Sequence, residues 1–205
     1  MTCNRLALGT AVALSAACSA GDHATPVAPA TVARAGDTAA GPPRAATCLP
    51  GGEGYLRARL RGALDLDIDW RGDRIECTGG IRPDGSGLRV TIAGPQQSDG
   101  RRLRFVFGIA GAHEGASARE RPTNVTVIFE GERRIFATQG DDKCLTDSLT
   151  QQRTGALGGP ARSWRIEARG FCIGPAATLP GDARLYVTSF DFAGRIDLRD
   201  EPEIP

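Results

Sequence analysis

Charge imbalance is the first thing missing from this chain. Its 205 residues carry 25 Lys and Arg against 24 Asp and Glu, a formal net charge of +1. So balanced a surface projects no long-range field, which argues against nucleic acid or an anionic bilayer as an electrostatic partner. Lysine is nearly absent: Lys143 stands alone and every other basic residue is arginine. That bias reads as genome composition before it reads as phosphate recognition. Histidine is limited to two, His23 and His113. No G-x-S-x-G elbow is present, so a serine hydrolase lacks its nucleophile motif. No glycine-rich loop opens a helix to cradle phosphate. Cys48, Cys77, Cys144 and Cys172 are far apart in sequence and no histidine flanks them, which argues against zinc.

What is present begins at the N-terminus. Arg5 precedes the apolar run Leu6-Ala7-Leu8-Gly9-Thr10-Ala11-Val12-Ala13-Leu14, which leads into Ser15-Ala16-Ala17-Cys18. A charged start, an apolar stretch and small residues make a secretory signal, and the apolar part is too short for a membrane-spanning helix. With Cys18 directly after the small residues, the segment resembles the lipobox of bacterial lipoproteins, although Ser15 stands where leucine is commonest. The resemblance covers residues 1–18. It implies cleavage before Cys18 and acylation of that cysteine, and no cofactor is expected from the residues of the chain. Ser19 in the next position, in place of aspartate, implies the outer membrane, with the chain facing the periplasm. The alternative is an ordinary signal cleaved after Ala17 or Ala20. Removal of residues 1–17 takes Arg5 and no acid, so 25 minus 1 leaves 24 basic residues against 24 acidic ones.

Residues 18–46 carry no aromatic residue and no apolar periodicity. Such a segment cannot bury enough surface to offset its ordering entropy, and it reads as a flexible tether about 30 Å from end to end. Residues 47–205 have the length of one domain with one core. Its four cysteines, Cys48, Cys77, Cys144 and Cys172, form an even set in an exported chain, which argues for two disulfides. Of the three possible pairings, Cys48–Cys77 with Cys144–Cys172 is favoured, because each closes a loop of about 30 residues.

Period-two alternation dominates this domain. Leu56, Ala58, Leu60, Leu64, Leu66, Ile68 and Trp70 take even positions, while Arg57, Arg59, Arg61, Asp65, Asp67 and Asp69 take odd ones. Fifteen residues exceed an ordinary strand, so a bend or turn near Gly62 is expected. Further strands are expected at 88–92, 103–109, 125–129, 134–138, 164–172, 185–192 and 195–198, with Ala193-Gly194 as a kink or turn. Only Asp141 to Arg153 offers helical spacing, through Leu145 and Leu149. Alternating faces point to an all-β antiparallel fold of about seven to nine strands, a β-sandwich in preference to a β-barrel.

Three constellations could carry chemistry. Asp65, Asp67, Asp69, Asp73 and Glu76 fall at positions 1, 3, 5, 9 and 12, the ligand spacing of a calcium loop, but Trp70 takes the sixth position, where the sharp turn needs glycine. A turn at Gly62-Ala63-Leu64 would instead set Arg61, Arg59 and Arg57 opposite Asp65, Asp67 and Asp69, which accounts for all six charges without a metal. His113 is the one candidate base outside the tether, in a loop-like stretch. Asp141-Asp142 offers paired carboxylates beside a cysteine, or simply a turn and cap. Two function classes follow. The first is a lipid-anchored envelope module without catalysis, binding an envelope protein or glycan. The second is an envelope hydrolase working through carboxylates or His113.

Overall fold

Successive side chains of an extended chain point to opposite faces, so period-two apolar patterning buries one face and leaves the other in water. The computed structural model describes residues 48–154, 161–178 and 181–199. There the patterning builds eleven strands: β1 (Tyr55–Gly62), β2 (Leu66–Arg71), β3 (Glu76–Ile81), β4 (Gly87–Ala93), β5 (Arg102–Ala110), β6 (Ala118–Glu130), β7 (Arg134–Ala137), β8 (Cys144–Thr154), β9 (Ala161–Cys172), β10 (Ala176–Thr178) and β11 (Arg184–Arg199). The signal at 1–17, Cys18 and the tether at 18–46 lie outside the described residues. Among the described residues no helix is long and apolar enough to cross a membrane.

All pairings are antiparallel. β6 carries β8 and β7 along one edge and β5 along the other. β11 likewise carries β9 and β10 along one edge and β1 along the other. Because β8 pairs with β9 and β7 with β10, the ring β6-β7-β10-β11-β9-β8 closes on itself. β1–β2 extends the ring from β11, and β5–β4–β3 extends it from β6. The all-β antiparallel expectation therefore holds, with closure in the barrel form, the alternative to the sandwich.

Three expectations need correction. Eleven strands replace seven to nine, the additions being β3, β8 and the three-residue β10. The stretch with helical spacing is β8, from Cys144 to Thr154. Ala193-Gly194 does not turn the chain out of its ladder: β11 runs unbroken from Arg184 to Arg199. At Gly62 the turn reading holds, and β1 and β2 form a hairpin with Arg59 opposite Asp67 and Arg57 opposite Asp69.

The interior is aromatic at its centre. Phe107 of β5 stands 4.6 Å from Phe192 and 5.1 Å from Phe190 of β11, ring centre to ring centre. Phe105 continues the stack and meets the edge of Trp70 from β2 at 5.8 Å. The disulfides are Cys48–Cys77 and Cys144–Cys172, closing separations of 29 and 28 residues, as the loop lengths favoured. The first ties the segment before β1 to β3. The second joins residues directly opposed in the β8–β9 ladder.

Candidate functional site

Directly opposed residues of an antiparallel pair share a face. The register of β2, β1, β11, β9 and β8 therefore sets out the barrel's outer surface row by row. One row reads Asp69, Arg57, Asp191, Arg169, Ser148, crossing five strands with alternating charge. The next reads Arg71, Tyr55, Ala193, Glu167, Thr150. A third sets Asp67, Arg59 and Ser189 side by side. Five strands span about 19 Å at the usual inter-strand spacing.

This face is indented in three contiguous depressions. The central one, about 280 Å³, is lined by Tyr55, Ser148, Thr150, Glu167, Arg169 and Asp191. Toward β2 it shares Asp191 with a depression that includes Arg57, Arg59, Asp67 and Ser189. Toward β8 it shares Thr150 and Glu167 with one that includes Gln152 and Arg165. Together they make a shallow groove running across the strands.

Its centre is fixed by charge. The Tyr55 hydroxyl donates to Asp191 Oδ1 at 2.9 Å, and Arg57 donates to Asp191 Oδ2 at 3.3 Å while lying over the Tyr55 ring. Arg61 pairs with Asp67 at 2.7 Å and Arg71 with Asp69 at 2.8 Å, and these guanidiniums hold both carboxyls below their ordinary range. Arg165 binds Glu167 at 2.7 Å and Glu53 at 2.6 Å. By contrast, Arg59, Arg169, Ser148, Thr150 and Ser189 make no side-chain hydrogen bond or ion pair among the described residues. The groove thus combines a rigid centre with unused donors and acceptors around it.

Tyr55 provides a direct test of that centre. Burial, and then the bond to Asp191, oppose phenolate formation and push its pKa up to about 12, against about 10 for an unperturbed tyrosine. A raised acid pKa contributes stability that is complete below pH ~10 and is lost as pH rises from about 10 through about 12. The chain has two tyrosines, so a Tyr186→Phe chain should show one phenolate absorbance step with a midpoint near pH 12. A step near pH 10 would show that the Tyr55–Asp191 contact does not form.

The residues singled out from the sequence are dispersed. Asp67 and Asp69 stand on β2, bound to arginines, and Asp65 Oδ1 accepts from the Gly62 N–H at 3.1 Å to close the hairpin. Asp73 sits in a short 3-10 turn, and Glu76 starts β3 and pairs with Arg102 at 3.0 Å. The calcium spacing therefore does not become a calcium loop: among the described residues no three His, Cys, Asp or Glu side chains are placed to hold a metal ion. The His113 imidazole is exposed, and its carbonyl accepts from Gln151 at 2.7 Å. Asp141 accepts from Arg82, just past β3, at 3.0 Å and from Asn124 of β6 at 2.8 Å, so it fastens the turn before β8 to both, while Asp142 pairs only with its neighbour Lys143.

A second cleft, at one end of the barrel, has an apolar floor of Leu64, Leu66, Leu103 and Phe129. Its guanidiniums are already engaged: Arg101 with Asp99 and Glu132, Arg102 with Glu76 and Glu130, Arg134 with Glu132. Arg134 also covers the Phe129 ring at 4.1 Å. No protein family, curated protein or solved structure matches this chain.

Proposed function

We propose that this chain is a lipid-anchored cell-envelope module that acts by binding rather than by catalysis, and that its ligand is a polar envelope glycan. One observation carries the binding reading: the row from Asp69 through Arg57, Asp191 and Arg169 to Ser148, with the groove that follows it. Interlocked ion pairs pre-organise the surface, which lowers the ordering cost of binding. Exposed arginines and hydroxyls flank it and match sugar hydroxyls that both donate and accept. None of the large exposed apolar side chains lines the groove, whereas the centre of a protein interface is typically apolar and aromatic. That contrast favours a glycan over a protein partner. With an isotope-labelled chain, soluble cell-wall glycan fragments should shift the amide signals of residues 55–59, 167–169 and 189–191. Shifts confined to other strands would contradict the assignment.

The anchor rests on the lipobox resemblance at Cys18. Acyl chains contribute about 0.8 kcal/mol per buried CH₂, and more than one is needed for stable anchoring. A neutral protein surface adds no electrostatic hold, so the lipid alone keeps the domain at the outer membrane, facing the periplasm. Cys18→Ala should move the chain from the membrane fraction to the soluble fraction of the envelope. Retention with the membranes would contradict the anchor.

A hydrolase is the second reading, because Asp191 and Glu167 line one depression. Each already accepts from a guanidinium, Arg57 and Arg165 respectively, an arrangement that holds acceptors rather than offering a proton. His113 does not line the groove. Cleavage of wall glycan by the wild-type chain, lost in Glu167→Gln, would establish this reading instead.

A further inference from the structure

Register also identifies which side chains of β8 and β9 look into the barrel. Ile166 and Ala168 oppose Gly194 and Phe192 of β11, and all four are buried. Along the same face, Trp164 opposes Ile196 and Arg162 opposes Leu198, both buried. From β8, Gln151 opposes Ile166 and Arg153 opposes Trp164. Four side chains bearing N–H donors thus continue this face past the buried residues to one end of the barrel, where Gln151, Arg162 and Trp164 are half-buried and Arg153 is exposed.

The β5–β6 loop, residues 111–117, meets them. Glu114 Oε1 accepts from Arg162 Nε at 2.6 Å and from the Trp164 indole at 2.9 Å, and Oε2 accepts from the second Arg162 nitrogen at 3.0 Å. Gln151 brackets the loop, donating to the carbonyls of His113 and Ala116 at 2.7 Å and accepting from the Gly115 N–H at 3.1 Å. Gly115 lies on the indole face, where a Cβ would come within 2.8 Å of the Trp164 ring.

We infer that Arg162, Trp164 and Arg153 form a carboxylate-binding site at the mouth of the barrel, which Glu114 fills in cis and from which a carboxylate-bearing envelope ligand displaces it. The Arg162 fork meets both oxygens of one planar carboxylate, the geometry that distinguishes arginine from a point charge. The indole supplies a third donor. Arg153, opposite Trp164 in the β8–β9 ladder, adds its charge to that of Arg162 at Glu114. Arg162 first, then Trp164, holds the Glu114 carboxyl below its ordinary range, so the site favours an anion. Side-chain exposures of 27% for Arg162 and 28% for Glu114 leave the pair open to solvent. A uronic acid and a peptide C-terminus share this chemistry.

The test removes the internal occupant and supplies another. The Glu114→Ala chain is unfolded thermally in sodium acetate and in sodium chloride at equal ionic strength. Its midpoint should rise by roughly 3–6 °C when acetate is tenfold above its dissociation constant. The wild-type chain, its site filled, should respond no more to acetate than to chloride. Adding Arg162→Gln should abolish the acetate response. Glucuronate and an N-acetylated dipeptide with a free carboxylate then separate the sources, the larger shift naming the ligand class. Should Glu114→Ala fail to fold, Glu114→Gln retains the side-chain shape, and the Trp164 indole N–H resonance reports acetate binding. An absent acetate response in both variants, or an equal response in the wild type, overturns the proposal. Neither outcome touches the groove reading, because Glu114, Arg162 and Trp164 do not line the groove.

Discussion

Phe107→Ala should lower stability by about 3–5 kcal/mol, the range for deleting a buried phenylalanine side chain. Phe107 is fully buried and its ring touches both phenylalanines of β11 that face it. β5 and β11 approach the interior from opposite walls, so the void would open at the centre, where strands held in ladders on both sides cannot collapse into it. For a chain of this size each kcal/mol moves the melting midpoint by about 2–4 °C, which gives a fall of roughly 6–20 °C. Ile173 supplies the control, since it is 76% exposed. Ile173→Ala should cost no more than about 0.5 kcal/mol. Equal losses in the two variants would mean that Phe107 does not sit in the shared core.

Replacing Cys144 and Cys172 together by serine should cost about 3–4 kcal/mol, or roughly 6–16 °C in melting midpoint. The bond closes a separation of 28 residues, and its loss returns that loop's conformational freedom to the unfolded chain. The cysteines are directly opposed in a β8–β9 ladder that pairs along its length down to Thr154 and Ser163, so the fold should persist without them. Thermal unfolding with circular dichroism separates the outcomes: a lowered midpoint with unchanged strand signal is expected. Loss of the strand signal at low temperature would mean that the disulfide, rather than the ladder, holds β8 to β9.

Much of the fold was legible because local chemistry agreed with global register. Arg57 and Arg59 on one side of Gly62, with Asp67 and Asp69 on the other, announced the β1–β2 hairpin, and the similar cysteine intervals announced the disulfides. β8 was misread for a physical reason. A bulge between Thr146 and Ser148 switches its phase, so Leu145 pairs outward with Phe171 while Leu149 pairs inward with Ala168. Two leucines four apart then imitate a helix turn. β3 carried no apolar alternation because Gly79 packs tightly: a Cβ there would come within 2.6 Å of the Arg89 carbonyl and 3.0 Å of that of Arg195.

The groove was harder to see. Most of its residues read from sequence as parts of solvated strand faces, which look alike, while Ser148, Thr150 and Gln152 fall in the stretch with helical spacing. What makes a surface of them is register over long separations, such as Tyr55 with Asp191, 136 residues apart. The Glu114 cluster was hidden in the same way, since Arg162 and Trp164 lie 48 and 50 residues from it.

The most direct measurement of the binding account is an isotherm on soluble cell-wall glycan fragments. It uses the Cys18→Ala chain, so that no lipid intervenes, beside the same chain carrying Asp191→Ala. Asp191 holds both Tyr55 and Arg57, and loss of a hydrogen bond to a charged group costs about 1.5–3 kcal/mol. The account predicts saturable binding that weakens about tenfold or more in the Asp191→Ala chain, with the melting midpoint lowered by roughly 3–12 °C and the strand signal in circular dichroism retained. Equal affinity in the two chains, or no binding by either, would contradict it.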